Sequence, residues 1–480
     1  MLNPPYMPHF GRSARWQDTG RGGTLYYPIW LSYATGVVEK EYEVRLVDAP
    51  AWRWDLNRVI RDVKRFHPDL IVVDSSFTSL KNDINVAENL KEATDAVITM
   101  VGPPSSQFSE DMLRSWGIDI VARYEYDLTL GEVAAALENN RSLRGVKGIS
   151  FKDNGKVIHA PRREWLSSEQ LDDLPFVSKV YKKHLNVKDY FLSESLYPEV
   201  QIFASRGCPH KCTFCSWPQT FTGHIHRRRS VRNVIEEMEW IKASLPEVKE
   251  IVFEDDTFSV DKKWVSTFCS ELIQRKLDVT WSCQVRADLN YELLTKMKKA
   301  GCRLVIAGFE SGDEQILRNI KKGLTIEYMK KFAMAVKKAG LLLQADFIIG
   351  LIGETKETIK KTKKLIKEIK PEILQVSVAT PFPGTEFYKS LRENGYLSVD
   401  DPNEYLDAHG HQKSVISYPW LSSKEIEKYV DEILSEYYLS INYVPIALRQ
   451  VFRKACLDEL KRIMISIKSF VRYMLKRERI

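Results

Sequence analysis

No apolar run in the chain approaches the roughly 18 residues that a transmembrane helix needs, and the first residues lack the basic-then-apolar order of a secretory leader. Seven cysteines in 480 residues, three of them crowded together, are too few and too unevenly spaced for a disulfide framework. A reducing cytoplasm is the expected compartment. Charge of one sign is also missing over most of the length. Residues 1–448 are balanced, and the whole formal excess of +7 falls in residues 449–480, where ten Lys and Arg stand against three acids. With 44% hydrophobic and 28% charged residues the chain is neither disordered nor fibrous, and its length allows two or three domains with cores of their own.

In the basic tail, Leu448, Phe452, Cys456, Leu460, Ile463, Ile467, Phe470 and Met474 recur at helical spacing. A basic amphipathic helix of this kind lies on the inner face of an anionic membrane or caps a neighbouring domain with its apolar face. No nucleic-acid motif accompanies it, and no nucleic acid is expected as a partner.

The densest chemistry is in Arg206-Gly207-Cys208-Pro209-His210-Lys211-Cys212-Thr213-Phe214-Cys215. Three thiolates at this spacing can ligate three irons of a [4Fe-4S] cluster and leave the fourth iron without a protein ligand. A structural zinc site is closed by four ligands; here it would have to recruit His210 or His224, because no second cysteine pair follows. Cys269, Cys283 and Cys302 sit singly in apolar stretches and read as core residues.

Short β-rich runs at 43–47, 70–74, 96–101 and 118–122 alternate with amphipathic stretches at 56–66 and 84–92. This is the pattern of a doubly wound α/β sheet, whose ligands bind at the carboxyl ends of the strands. Ser75 and Gly102 are therefore candidate binding residues. We divide the chain into a Rossmann-like domain over 1–140, a connector over 141–198 with a hairpin at Asn154-Gly155, a partial barrel over 199–395 and a helical region over 396–480. The barrel rests on six predicted strands, at 201–204, 250–253, 279–284, 303–309, 343–349 and 373–379, each followed by a helical pattern. The cysteine loop follows the first of them, at the face where such barrels keep their active sites.

The cysteine spacing, with Phe214 before the last cysteine, resembles the radical S-adenosylmethionine superfamily. Further blocks at strand ends match it over roughly 200 to 395: Phe253-Glu254-Asp255-Asp256, Gln284-Val285-Arg286, Gly308-Phe309-Glu310-Ser311 and Asp346-Phe347-Ile348-Ile349-Gly350-Leu351. The resemblance implies a cluster on Cys208, Cys212 and Cys215, a low-potential electron donor such as ferredoxin or flavodoxin, and S-adenosylmethionine cleaved to a 5′-deoxyadenosyl radical. Phe214, Asp256, Arg286, Glu310, Ser311, Gly350 and Leu351 are the implied cofactor contacts. Arg286 also has its own rationale, since its fork suits a carboxylate.

The N-terminal domain resembles the cobalamin-binding domain that precedes the barrel in one subgroup. It lacks that domain's Asp-x-His-x-x-Gly motif, and His67 stands before a strand, so the sequence leaves cobalamin binding open. A narrower likeness, carried by Trp217-Pro218-Gln219-Thr220, Gly223-His224 and Arg227-Arg228-Arg229, is to the hopanoid cyclitol-ether and calditol synthases. It implies a lipid substrate at the membrane surface whose sugar-like head group is contracted to a cyclopentane polyol. Trp217, His224, Arg228, His409 and His411 are the candidate substrate residues. A cobalamin-dependent methyltransferase is the alternative, and an iron-sulfur carrier without catalysis a second one.

Overall fold

The computed structural model describes residues 1–14, 19–452 and 456–477. The N-terminal sheet is built from β1 (Leu2–Asn3), β2 (Val47–Asp48), β3 (Leu70–Asp74), β4 (Val97–Val101), β5 (Ile120–Ala122), β6 (Ile149–Asp153) and β7 (Lys156–His159), in the order β2-β1-β3-β4-β5-β6-β7. The first five strands are parallel, as the alternating pattern predicts. The β6–β7 hairpin adds to them antiparallel through β5, so the sheet continues into the stretch read as a connector. Its turn is Asn154-Gly155, both at positive φ, the pairing a tight hairpin demands. The first strand is reduced to two residues and still occupies an interior position, buried on both sides.

The second sheet holds six parallel strands: β8 (Glu199–Ile202), β11 (Glu250–Phe253), β12 (Trp281–Val285), β13 (Cys302–Glu310), β14 (Leu342–Ile349) and β15 (Ile373–Val378), in the order β15-β14-β13-β12-β11-β8. A two-stranded ribbon, β9 (Ser205–Arg206) with β10 (Arg227–Arg228), frames the cysteine loop. The sheet is an open barrel with helices outside. Along β14, Leu343, Ala345 and Phe347 join the core beneath the helices, so the alternate residues Gln344 and Asp346 point into the lumen. On β8, Glu199 and Gln201 alternate in the same way with Val200 and Ile202.

The C-terminal region ends in the helices Val444–Val451 and Cys456–Arg477. The second packs across the base of the barrel by its polar face, so of the two modes expected of its apolar stripe, membrane contact or capping, it does not show capping. Glu459 and Arg462 are buried against Arg303, with Arg303 Nη1 2.8 Å from Glu459 and Arg462 Nε 2.9 Å from its other oxygen. Among the described residues no helix is long and apolar enough to cross a membrane.

Candidate active site

β8 runs into the cysteine loop through Ala204 and Ser205, and a strand-end carboxylate fixes that exit. Asp255, buried just beyond β11, accepts from the Ala204 N–H at 2.8 Å and from the Ser205 hydroxyl at 2.5 Å. Next to it Asp256 accepts from the Gly207 N–H at 2.7 Å. Gly207 is at φ +81°, and a Cβ there would lie 2.2 Å from the Ile225 carbonyl oxygen, so only glycine fits. The far side of the loop is held by Gln219, whose amide donates to the carbonyls of Cys212, Thr213 and Cys215 at 3.3, 3.1 and 2.7 Å. Its own oxygen accepts from the Glu386 N–H.

Cys208, Cys212 and Cys215 all line one cavity at the carboxyl ends of the barrel strands, together with Phe214, Trp217, Asp256, Arg286, Glu310 and Asp346. Among the described residues no three His, Cys, Asp or Glu side chains converge as a single ion requires. Three thiols on one cavity are one ligand short of a structural zinc site and suit a polynuclear cluster. Glu310 is paired with Lys322 at 2.7 Å, both buried, and the Arg286 guanidinium donates to the Lys322 carbonyl.

Several expected residues stand elsewhere. Glu310 is at φ +62° where the β13–β14 register slips, and this bulge turns Ser311 away from the cavity to lie 3.4 Å from Thr362 Oγ1. The N–H groups of Gly350 and Leu351 donate to Glu354, closing the turn after β14. His224 Nδ1 lies 3.1 Å from the Cys208 carbonyl oxygen and braces the loop. Arg228 is half exposed and paired with Asp261 at 3.1 Å. His409 and His411 line a different hollow, with Met7, His9 and Ile465 of the tail helix, because the chain beyond β15 leaves the barrel mouth. The polyol pocket expected of these side chains is therefore not assembled. Gln219, Lys322 and Asp346 were not foreseen as site residues.

The carboxyl edge of the N-terminal sheet abuts the same cavity. Ser75 Oγ donates to the Val101 carbonyl at 2.6 Å, and Gly102, at φ +107°, passes so close that a Cβ would lie 2.1 Å from the Ser75 carbonyl oxygen. The turn Pro103–Ser106 meets the cysteine side through Ser106 Oγ and the Thr220 carbonyl, 2.6 Å apart. Phe77 stacks on the cavity residue Phe382 with centroids 5.2 Å apart.

A family model of the radical SAM superfamily matches residues 202–366, and one of the B12 binding domain matches residues 19–134. Over 420 residues, 87% of this chain and 89% of the relative, the sequence is 31% identical to an uncharacterised methyltransferase of Pyrococcus horikoshii. The chain belongs to the radical S-adenosylmethionine superfamily. This radical SAM enzyme is also 24% identical, over 84% of its length and 77% of the relative's, to the anaerobic magnesium-protoporphyrin IX monomethyl ester cyclase of Rubrivivax gelatinosus. Its fold is that of the radical SAM methyltransferase TsrM of Kitasatospora setae, with a TM-score of 0.71 over 92% of this chain and 96% of that one at 16% identity.

The cofactors of the enzyme are accordingly a [4Fe-4S] cluster, S-adenosylmethionine and cobalamin. The residues present fit all three. At the cavity wall Asp346 Oδ1 accepts from Gln344 at 3.0 Å while its Oδ2 has no partner, and buried polar atoms left unpaired mark a place for water or ligand. At the edge of the N-terminal sheet the hydroxyls of Ser105 and Tyr126 are likewise buried and unpaired. Burial pushes the neighbouring Asp74 carboxyl up to about 7 against the pull of Arg12.

Proposed function

We propose that the enzyme is a cobalamin-dependent radical SAM methyltransferase acting at an unactivated carbon. The observation that carries this reading is the abutment of the two carboxyl edges. The turn after Gly102, on the domain matched as B12 binding, touches the barrel at Thr220, and Phe77 of the same domain stacks on Phe382 of the cavity lined by Cys208, Cys212 and Cys215. When bound, the cluster with S-adenosylmethionine supplies a hydrogen-abstracting radical and cobalamin supplies a methyl group. The chain's own part is placement. Arg286 presents a fork to a carboxylate, the Lys322–Glu310 pair keeps a buried acid compensated, and Trp217 and Phe382 shield the reacting space from water.

The relative that shows the family and the structural neighbour TsrM both bear methyltransferase names. The lipid head-group contraction expected from Trp217-Pro218-Gln219-Thr220 finds no such support, and Gln219 has a sufficient role in holding the cysteine loop. The test supplies anaerobically loaded enzyme with methyl-deuterated S-adenosylmethionine, a reductant and a metabolite extract of the source cells. Labelled products together with S-adenosylhomocysteine and 5′-deoxyadenosine are expected. Products carrying no label, whether cyclised or isomerised, would overturn the proposal.

A further inference from the structure

Among the described residues, fifteen large apolar side chains are exposed, and nine of them lie between Leu439 and Ile467. The helix Cys456–Arg477 accounts for four, Leu457, Leu460, Met464 and Ile467, at the spacing of a single face. Leu457 is 79% exposed, and Phe452, just before the helix, is 78% exposed. The opposite face is polar and buried. Glu459 and Arg462 make the ion network with Arg303, Arg462 Nη2 reaches Gln450 at 2.6 Å, and Ser466 Oγ is 3.3 Å from the Ser193 carbonyl oxygen. A helix on an ordinary domain surface does the reverse, hiding leucines and wetting charges. Here the buried ion network fixes the helix with its leucines outward, and turning it over would take Glu459 away from Arg303.

We propose that this outward face is a docking surface for an anionic lipid bilayer. Charge selects that occupant. Lys461 and Lys468 are exposed beside the apolar stripe, Arg449 on the preceding helix is paired with buried Glu372 at 3.5 Å, and residues 449–480 hold the whole +7 of the chain. A second copy of the chain would set one basic stripe against another, whereas phospholipid phosphates neutralise it while the acyl region receives the leucines. The contact is peripheral, since no described helix spans a bilayer. It stands independently of the reaction catalysed.

The experiment uses the full-length, cluster-loaded protein with vesicles of phosphatidylcholine alone or containing a third phosphatidylglycerol. Co-sedimentation is expected with the anionic vesicles and not with the neutral ones, weakening as salt rises. The double variant Leu460→Ser/Met464→Ser, and separately Lys461→Glu/Lys468→Glu, should bind at least about tenfold less. Both should retain the wild-type yield of 5′-deoxyadenosine, which also shows that they are folded. Failure of wild type to sediment with anionic vesicles overturns the proposal. So does a dimer seen by light scattering that Leu460→Ser/Met464→Ser converts to monomer, which would assign the face to a second copy.

Discussion

Arg206 and Asp127 meet fork to fork across the boundary between the two halves of the chain, with Nη1 and Nη2 at 2.8 and 3.0 Å from the two carboxylate oxygens and both side chains 1% exposed. Asp127 opens the helix Asp127–Glu138 behind the N-terminal sheet; Arg206 stands two residues before Cys208 and stacks on Trp30 at 4.5 Å. Removing Asp127 leaves Arg206 buried with only Glu125, 3.8 Å away and already gripped by Arg227, at a cost of up to about 3–5 kcal/mol. Asp127→Ala should lose stability of that order in a denaturant titration. A loss under about 1 kcal/mol would mean that the pair is not what joins the halves.

Each of Cys208→Ala, Cys212→Ala and Cys215→Ala should leave a folded chain with little iron and sulfide and no 5′-deoxyadenosine. The thiols stand on a loop whose shape is set by Asp255, Asp256 and Gln219 rather than by the sulfur atoms. Circular dichroism beside iron analysis decides it, and collapse of the fold on losing one cysteine would contradict this division of labour.

Gln219→Leu keeps the side-chain volume and removes three donated hydrogen bonds from the cysteine loop. A lower cluster content after reconstitution is expected, and faster bleaching of its visible absorption when a chelator is added. Bleaching at the wild-type rate would show that the loop holds itself.

Gly102→Ala should uncouple the two cofactors. Its φ of +107° and the 2.1 Å approach to the Ser75 carbonyl oxygen leave no room for a methyl group, so the carboxyl edge of the N-terminal sheet must shift. Cobalamin retained on gel filtration should fall, while reductive cleavage of S-adenosylmethionine, made on the barrel side, persists. Equal loss of both would argue that the edge is not the cobalamin side of the cavity.

Asp74 predicts a pH dependence of stability. Burial raises its carboxyl from 3.8 to about 7, so between those values the folded chain holds a proton that the unfolded chain has released. The resulting stability is complete below about pH 4 and is lost as pH rises through 7. Asp74→Asn lacks this loss, and the variant should therefore gain on wild type between pH 4 and 8, by about 4 kcal/mol at most. Urea midpoints at the two pH values measure it, and parallel curves would refute it.

Much of this architecture is legible in the sequence. All six barrel strands lie within two or three residues of their predicted positions, since each is a buried apolar run followed by a strong helical period. The cysteine loop is legible because thiolates at that spacing have few other uses. Lys322 leaves no local signal and gains its role by meeting Glu310 where the register slips; Asp346 is visible only as part of a strand-end block, its role set by a lumen whose polar atoms are unsatisfied. His409 and His411 form a histidine-rich turn that the fold places in a different hollow from the cysteines, a position no local pattern announces. The tail's period is legible in the sequence, while its facing is left open there. Which side of an amphipathic helix meets the protein depends on partners such as Arg303, 156 residues away in sequence from Glu459.

The seam between the two halves fixes how their edges meet. Arg227 grips Glu125 with both nitrogens at 2.7 and 3.0 Å, as Arg206 grips Asp127, so the halves are bolted by two dry, two-pronged contacts. Parting them would break four charge-assisted hydrogen bonds together. The two carboxyl edges are thereby held in one fixed register.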